Sequence, residues 1–180
     1  MDLKQVLKSA EEAAEKPKYV LRAVHAIEED VRAALLKMLE RGGKSSGQLH
    51  KQLVEKEFPL EVIDLIMARF TEVGLIDDFA LAKDHARVLF ERKSKAKAMI
   101  AMDLREKGFP KDAITEALAS IEVDDELELA KELAVSKMSR MTGQDKSTAE
   151  RKVAGYLARK GYPSSVVWSA VRYASEQQSL

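Results

Sequence analysis

The chain has 180 residues, and its 30 basic and 30 acidic side chains cancel at neutral pH. A zero total argues against a strong nonspecific DNA binder, whose affinity rests mainly on neutralising phosphates. It contains no cysteine, which excludes disulfides and thiolate chemistry and fits a reducing cytosol.

No apolar run approaches the ~20 residues that cross a bilayer, and Met1 to Ala10 lacks a signal-peptide core. The expectation is a cytoplasmic protein with no membrane partner. Residues 1–26 read as an N-terminal helical extension: Leu3, Val6 and Leu7 share a short helix broken near Pro17, and Tyr19 to Ala26 runs on from it.

From there the chain repeats itself. Leu49 and Leu53 lead to Phe58-Pro59, then Val62, Ile63, Ile66 and Met67. Ile100 and Leu104 lead to Gly108-Phe109-Pro110, then Ala113, Ile114, Ala117 and Leu118. Val153 and Leu157 lead to Gly161-Tyr162-Pro163, then Val166, Val167, Ala170 and Val171. Aromatic-proline pairs at 58, 109 and 162 stand 51 and 53 residues apart, which marks a repeat architecture.

Each unit reads as two helices around a tight corner. Apolar residues four apart form one stripe of an amphipathic helix. Gly108 and Gly161 suit a left-handed helix end, and the proline suits the first turn of the next helix. Glu57 holds the glycine position in the first unit, predicting a different or strained cap. Phe58, Phe109 and Tyr162 then plug the corners. A third helix precedes each pair, over Ile27–Glu40, Phe79–Arg92 and Glu126–Met141. Breaks at Gly42–Gly47 and Met141–Gln144 follow, and Ser147-Thr148-Ala149-Glu150 fits a capping box. The predicted fold is all-α: three tandem three-helix repeats (27–78, 79–125 and 126–180) in an elongated, curved body. At this length about 70% of the unfolded surface can be buried, and neighbouring units must share packing surfaces.

Charge is unevenly distributed. Arg87 to Lys111 holds eight basic residues against three acidic, and Arg140 to Lys160 six against two. The first 80 residues hold 12 against 15. A local basic face is therefore compatible with a neutral total, although charge-rich helix faces are usually only solvated.

Nothing assembles a catalytic or metal site. His25, His50 and His85 are scattered, with no carboxylate at ligand spacing. Asp77-Asp78 and Asp124-Asp125 each stand before a helix, where aspartate caps free amides. Gly42-Gly43-Lys44-Ser45-Ser46 lacks the first glycine and the preceding strand of a phosphate loop. Met99, Met102, Met138 and Met141 read as gap fillers. Trp168 aligns with Leu65 and Glu116, and either caps the last unit or anchors an interface.

The segment Gly74-Leu75-Ile76-Asp77-Asp78, with Ala82 after it, joins Arg105, Lys107, Gly108, Phe109 and the tripled unit in resembling the RecX family, regulators of the RecA recombinase. The resemblance covers Val31 to Tyr173. Leu81 stands where that family commonly has an aromatic, and Ser94 and Ala96 stand in a segment that usually contains glycine.

Repeats that close their own core predict a monomer, and no residue cluster predicts a cofactor. The resemblance implies a protein without an active site of its own, lying in the groove of a RecA filament on single-stranded DNA. It would hinder filament growth, ATP hydrolysis, strand exchange and co-protease activity, and bind naked single-stranded DNA weakly. On that basis the expected contact face is Arg87, Arg92, Lys93, Lys95, Lys97, Arg105, Arg151, Lys152 and Arg159. Two other classes stay open: a direct DNA-binding module and a helical scaffold for another protein.

Overall fold

The computed structural model describes residues 17–141 and 143–178, and these are helical throughout, with no strand among them. The helices are α1 (Pro17–Leu39), α2 (Ser46–Val54), α3 (Leu60–Glu72), α4 (Asp78–Glu91) and α5 (Lys97–Glu106). They continue as α6 (Lys111–Ala119), α7 (Val123–Met138), α8 (Lys146–Arg159) and α9 (Ser164–Gln177), with a 3-10 turn at Ser139–Met141. The short helix expected around Leu3 to Leu7 lies outside the described residues. The first helix is described from Pro17, ten residues before Ile27.

The chain packs as two compact units. One is the chain up to Leu81 with Lys107–Pro110, and the other is Ala82–Glu106 with Lys111 onwards. In the first, α1, α2 and α3 bury Val31, Leu35, Leu49, Leu53, Ile63, Ile66 and Phe70 around one core. The stripe residues expected from the four-residue spacing are those buried here. Phe58 is only partly buried against this core.

In the second, α7, α8 and α9 close on a core rich in small residues: Ala130, Ala134, Ala170 and Ala174, with Val153, Leu157 and Tyr162. Small side chains let helices approach closely, and the large Tyr162 fills the corner. Ile100, Leu104, Ala113, Ile114 and Ala117 are buried on α5 and α6.

All three corners are left-handed: φ is +62° at Glu57, +73° at Gly108 and +87° at Gly161. Glu57 therefore adopts the same turn as the glycines, as an exposed residue, at the cost a side chain incurs there. The glycines answer a second demand. A Cβ on Gly108 would lie 3.3 Å from the Gly47 Cα, and one on Gly161 would collide with the Met99 side chain. Each glycine corner is where the second helix of the preceding repeat begins.

The capping box expected at Ser147 to Glu150 is absent. Asp145 caps α8 instead, its carboxylate accepting from the Thr148 amide at 3.1 Å. The capping box forms at Ser45, whose hydroxyl accepts from the Gln48 amide while Gln48 accepts from the Ser45 amide. Local spacing alone does not distinguish the two.

Candidate protein and nucleic-acid interface

The Gly74-Leu75-Ile76-Asp77-Asp78 segment has a structural role. Gly74 is left-handed at φ +74°, Leu75 is exposed, and Ile76 and Ala82 are buried. Asp77 caps its own helix, accepting from the Ala80 amide at 2.9 Å. Asp78, only 9% exposed, does not. Its carboxylate accepts from the Ser46 amide at 2.9 Å, at the start of α2.

The counterpart of Asp78 in the next repeat is Glu126, 7% exposed, which accepts from the Lys97 amide at 2.8 Å, at the start of α5. Asp124 and Asp125 stand in the first turn of α7, where they complement the helix dipole, and Glu122 is at the cap without a side-chain bond. The carboxylates thus clasp successive repeats: an acid in the first helix of one satisfies an orphan amide in the second helix of the repeat before it.

The corners complete these clasps. Ser45 is fully buried and donates to the Lys107 carbonyl. At the equivalent place the Ala96 amide donates to the Lys160 carbonyl at 3.0 Å. The second junction carries two further bonds. The Lys160 ammonium donates to the Lys93 carbonyl at 2.6 Å, and the Tyr162 hydroxyl to the Ser94 carbonyl at 3.3 Å. Ser94 is itself left-handed at φ +49°, in the segment where glycine is usual. Burial, with Glu126 and Tyr156 nearby, raises the Tyr162 phenol above its ordinary value, so it stays a donor.

All nine cations expected as a contact face lie in the second compact unit. Arg92 and Lys93 are exposed after α4, and Arg105 is exposed near the end of α5. Arg87 pairs with Asp84 at 3.0 Å, Lys95 pairs with Asp103, and Lys97 is half-buried beside its capped amide. Arg151, Lys152 and Arg159 are exposed on α8, where Lys152 donates to Gln144 at 2.8 Å.

The structure adds residues that charge counting does not single out. Lys160 lies 5.6 Å and Lys137 5.3 Å from the centre of the Tyr156 ring, within cation–π range. Desolvation, then the charge of Lys95, lowers the Lys160 ammonium below its ordinary value. The available signal is the spacing of Lys152, Tyr156 and Lys160, four residues apart on one helical row.

Trp168 is 53% exposed. It lines an open groove with Lys146, Glu150, Val171, Arg172 and Ser175. Met138 is buried as a gap filler, whereas Met102 is exposed. Among the described residues no cluster of His, Cys, Asp or Glu is placed to hold a metal ion, and no helix is long and apolar enough to cross a membrane.

A chain of clasped three-helix repeats with surplus cations on the second and third is a helical-repeat protein. Two models of one family match it: the second three-helix domain of RecX over residues 77–118 and the third over 124–171. The chain belongs to the RecX family of regulatory proteins.

It is 33% identical over 150 residues to the regulatory protein RecX of Streptomyces coelicolor, covering 83% of this chain and 80% of the relative. It is 33% identical over 145 residues to that of Mycobacterium avium, covering 80% and 84%. A crystal structure of a regulatory protein RecX superposes with TM-score 0.75 at 27% identity, covering 87% of this chain and 79% of the other. RecX from Lactobacillus salivarius gives 0.78 over 83% and 97% at 17% identity, a likeness of fold.

Proposed function

We propose that this protein regulates RecA filaments on single-stranded DNA. It binds in the filament groove and slows filament growth, ATP hydrolysis, strand exchange and co-protease activity. Its setting is the cytoplasm, in recombinational repair and the SOS response, and it acts as a monomer without an active site of its own. The observation that carries this reading is membership of a family of regulators together with tandem repeats that present unpaired cations on successive units. Arg92, Lys93, Arg105, Arg151 and Arg159 are exposed, the state a surface needs to meet acidic protein or phosphate.

The repeats suit an extended target. The first two repeats each begin the second helix against the next, and surplus positive charge stands on both the second and the third. The neutral total makes indiscriminate duplex binding weak, which favours a target that offers protein and DNA contacts together.

The test is DNA-dependent ATP hydrolysis by preassembled RecA filaments titrated with this protein, beside its binding to naked single-stranded DNA. Inhibition well below the concentration that saturates naked DNA is expected. Inhibition only at DNA saturation would mean competition for the strand, and none at any concentration would leave the scaffold reading in its place.

A further inference from the structure

Helix α8 carries two adjacent rows four residues apart, Arg151-Gly155-Arg159 and Lys152-Tyr156-Lys160. Positions so spaced stand one above another along a helix face, about 6 Å per step. From Arg151 to Pro163 the sequence has no acidic residue. Glu150, the acid in α8, is turned to the Ser175 hydroxyl at 2.7 Å. Among the described residues, Arg151, Arg159, Lys160 and Lys137 have no carboxylate partner. Glu126, whose charge reaches Tyr162, is buried and accepts from the Lys97 amide. This face is therefore uncompensated.

Gly155 is the second observation. A glycine inside a helix costs stability relative to alanine, so its place needs a reason. Its φ is not left-handed, and a Cβ built on it meets Arg159 Nη1 at 3.5 Å, an ordinary contact. Packing within the described residues does not require glycine here. What glycine provides is a position without a side chain of its own, over which the Arg159 guanidinium lies and which a partner's backbone reaches once that arginine turns to a phosphate.

We propose that this face of α8 is the surface on which the protein holds the sugar-phosphate backbone of a single DNA strand. Arg151, Lys152, Arg159 and Lys160 neutralise phosphates, Gly155 lets the backbone come close, and the half-exposed Tyr156 offers a ring to an unstacked base. Cations interleaved with an aromatic suit a single strand, whose bases are open to such a ring. A duplex hides them. The assignment deepens the filament reading and rests on it for the strand's setting. Lys93 and Lys95 adjoin Lys160, so positive charge continues from this face into the linker after α4.

The test uses the full chain and a fluorescein-labelled oligothymidylate, with anisotropy followed across a salt series. Replacing Lys152, Arg159 and Lys160 by Gln should lower the slope of log affinity against log salt by about 0.7 for each phosphate no longer neutralised. Tyr156→Ala should weaken binding about tenfold with the slope unchanged, as removal of one stacked base predicts. Gly155→Leu, which favours the helix, should bind less tightly while melting no lower than the wild type. Arg41→Gln, at an exposed cation in the first compact unit, should leave oligonucleotide binding as it was.

Equal affinity and slope in the α8 variants and the wild type, or no binding by the wild type at low salt, overturns the proposal. So does loss of filament inhibition with oligonucleotide binding intact, which would give the face to an acidic protein surface while the filament reading stands. Oligonucleotide binding abolished in the variants, from a wild type that never inhibits the filament, supports the face and removes the filament reading.

Discussion

The two repeat junctions use one device in two chemistries. At the first, Gly47 and Gly108 bring backbone onto backbone, Ser45 donates to the Lys107 carbonyl, and Asp78 caps α2. At the second, Met99 lies against Gly161, the Ala96 amide donates to Lys160, and Glu126 caps α5. The geometry of corner, amide and acid is shared, while the filling differs. At the first junction the corner glycine meets backbone; at the second it meets the Met99 side chain, and that junction carries the surplus positive charge of Lys160. A repeat fold can thus keep its clasp and vary its surface.

The largest effect should come from Gly47→Ala. A Cβ there collides with the Gly108 carbonyl oxygen and touches its Cα, and backbone cannot swing aside. A loss of about 2–3 kcal/mol is expected from overpacking, or a melting temperature lower by ~5–10 °C. Gly161→Ala meets the Met99 side chain instead and must hold φ near +87°, costing about 1–2 kcal/mol. Met99→Ala in the same chain should recover part of that loss. No side-chain truncation should rescue Gly47→Ala, and a rescue by one would show that the first junction is not backbone-limited.

Next come the clasping acids. Asp78→Ala and Glu126→Ala each leave a helix-start amide without its acceptor, at about 1–2 kcal/mol by denaturant melting. Asp78→Asn keeps a carbonyl oxygen at the same reach and should retain most of the stability. If Asn is as damaging as Ala, the charge matters more than the acceptor, and the dipole account of the clasp must replace the hydrogen-bond account.

These junctions also show what can be read from the residues. Ile100 with Leu104 and Val153 with Leu157 announce buried stripes because helical periodicity is local. The corners Gly108-Phe109-Pro110 and Gly161-Tyr162-Pro163 are equally local, and both glycines are left-handed as expected. Asp78 and Glu126 are different. Their partners, Ser46 and Lys97, lie 32 and 29 residues away, so each reads as an ordinary helix-start acid until the repeats are stacked. Gly47 likewise reads as part of a loose glycine-serine break, and only the approach of Gly108 gives it a purpose. Lys160 enters a charge count only as one of six in its segment, because its neighbours, Lys93 and Tyr156, come from a distant linker and from one turn earlier on its own helix.

A smaller change, of opposite sign, distinguishes the α8 face from both junctions. Gly155→Ala should stabilise the chain by about 1 kcal/mol, since alanine is the better helix former, raising the melting temperature by ~2–4 °C. Glycines at the clasps lose stability on the same replacement. A Gly155→Ala chain that melts lower would mean that tight packing, and not a partner's approach, explains the glycine.

The smallest effect concerns the third repeat, whose second helix starts without a following repeat's acid in the described chain. Asp145 caps α8 from within, bonded to the Ser147 hydroxyl at 2.8 Å and the Thr148 amide at 3.1 Å. Those bonds hold its carboxyl below the usual value of 3.8. A carboxyl with a lowered folded-state value adds stability that is present above its unfolded value and fades as pH falls through the folded one. Asp145→Ala should therefore melt lower than the wild type at neutral pH, with the gap closing below the ordinary carboxylate range. Because Asp145 is fully open to water, screening makes this gap small, and added salt should narrow it further. A gap that persists unchanged into strong acid would assign the stabilisation to the neutral side chain's contacts and not to the charged cap.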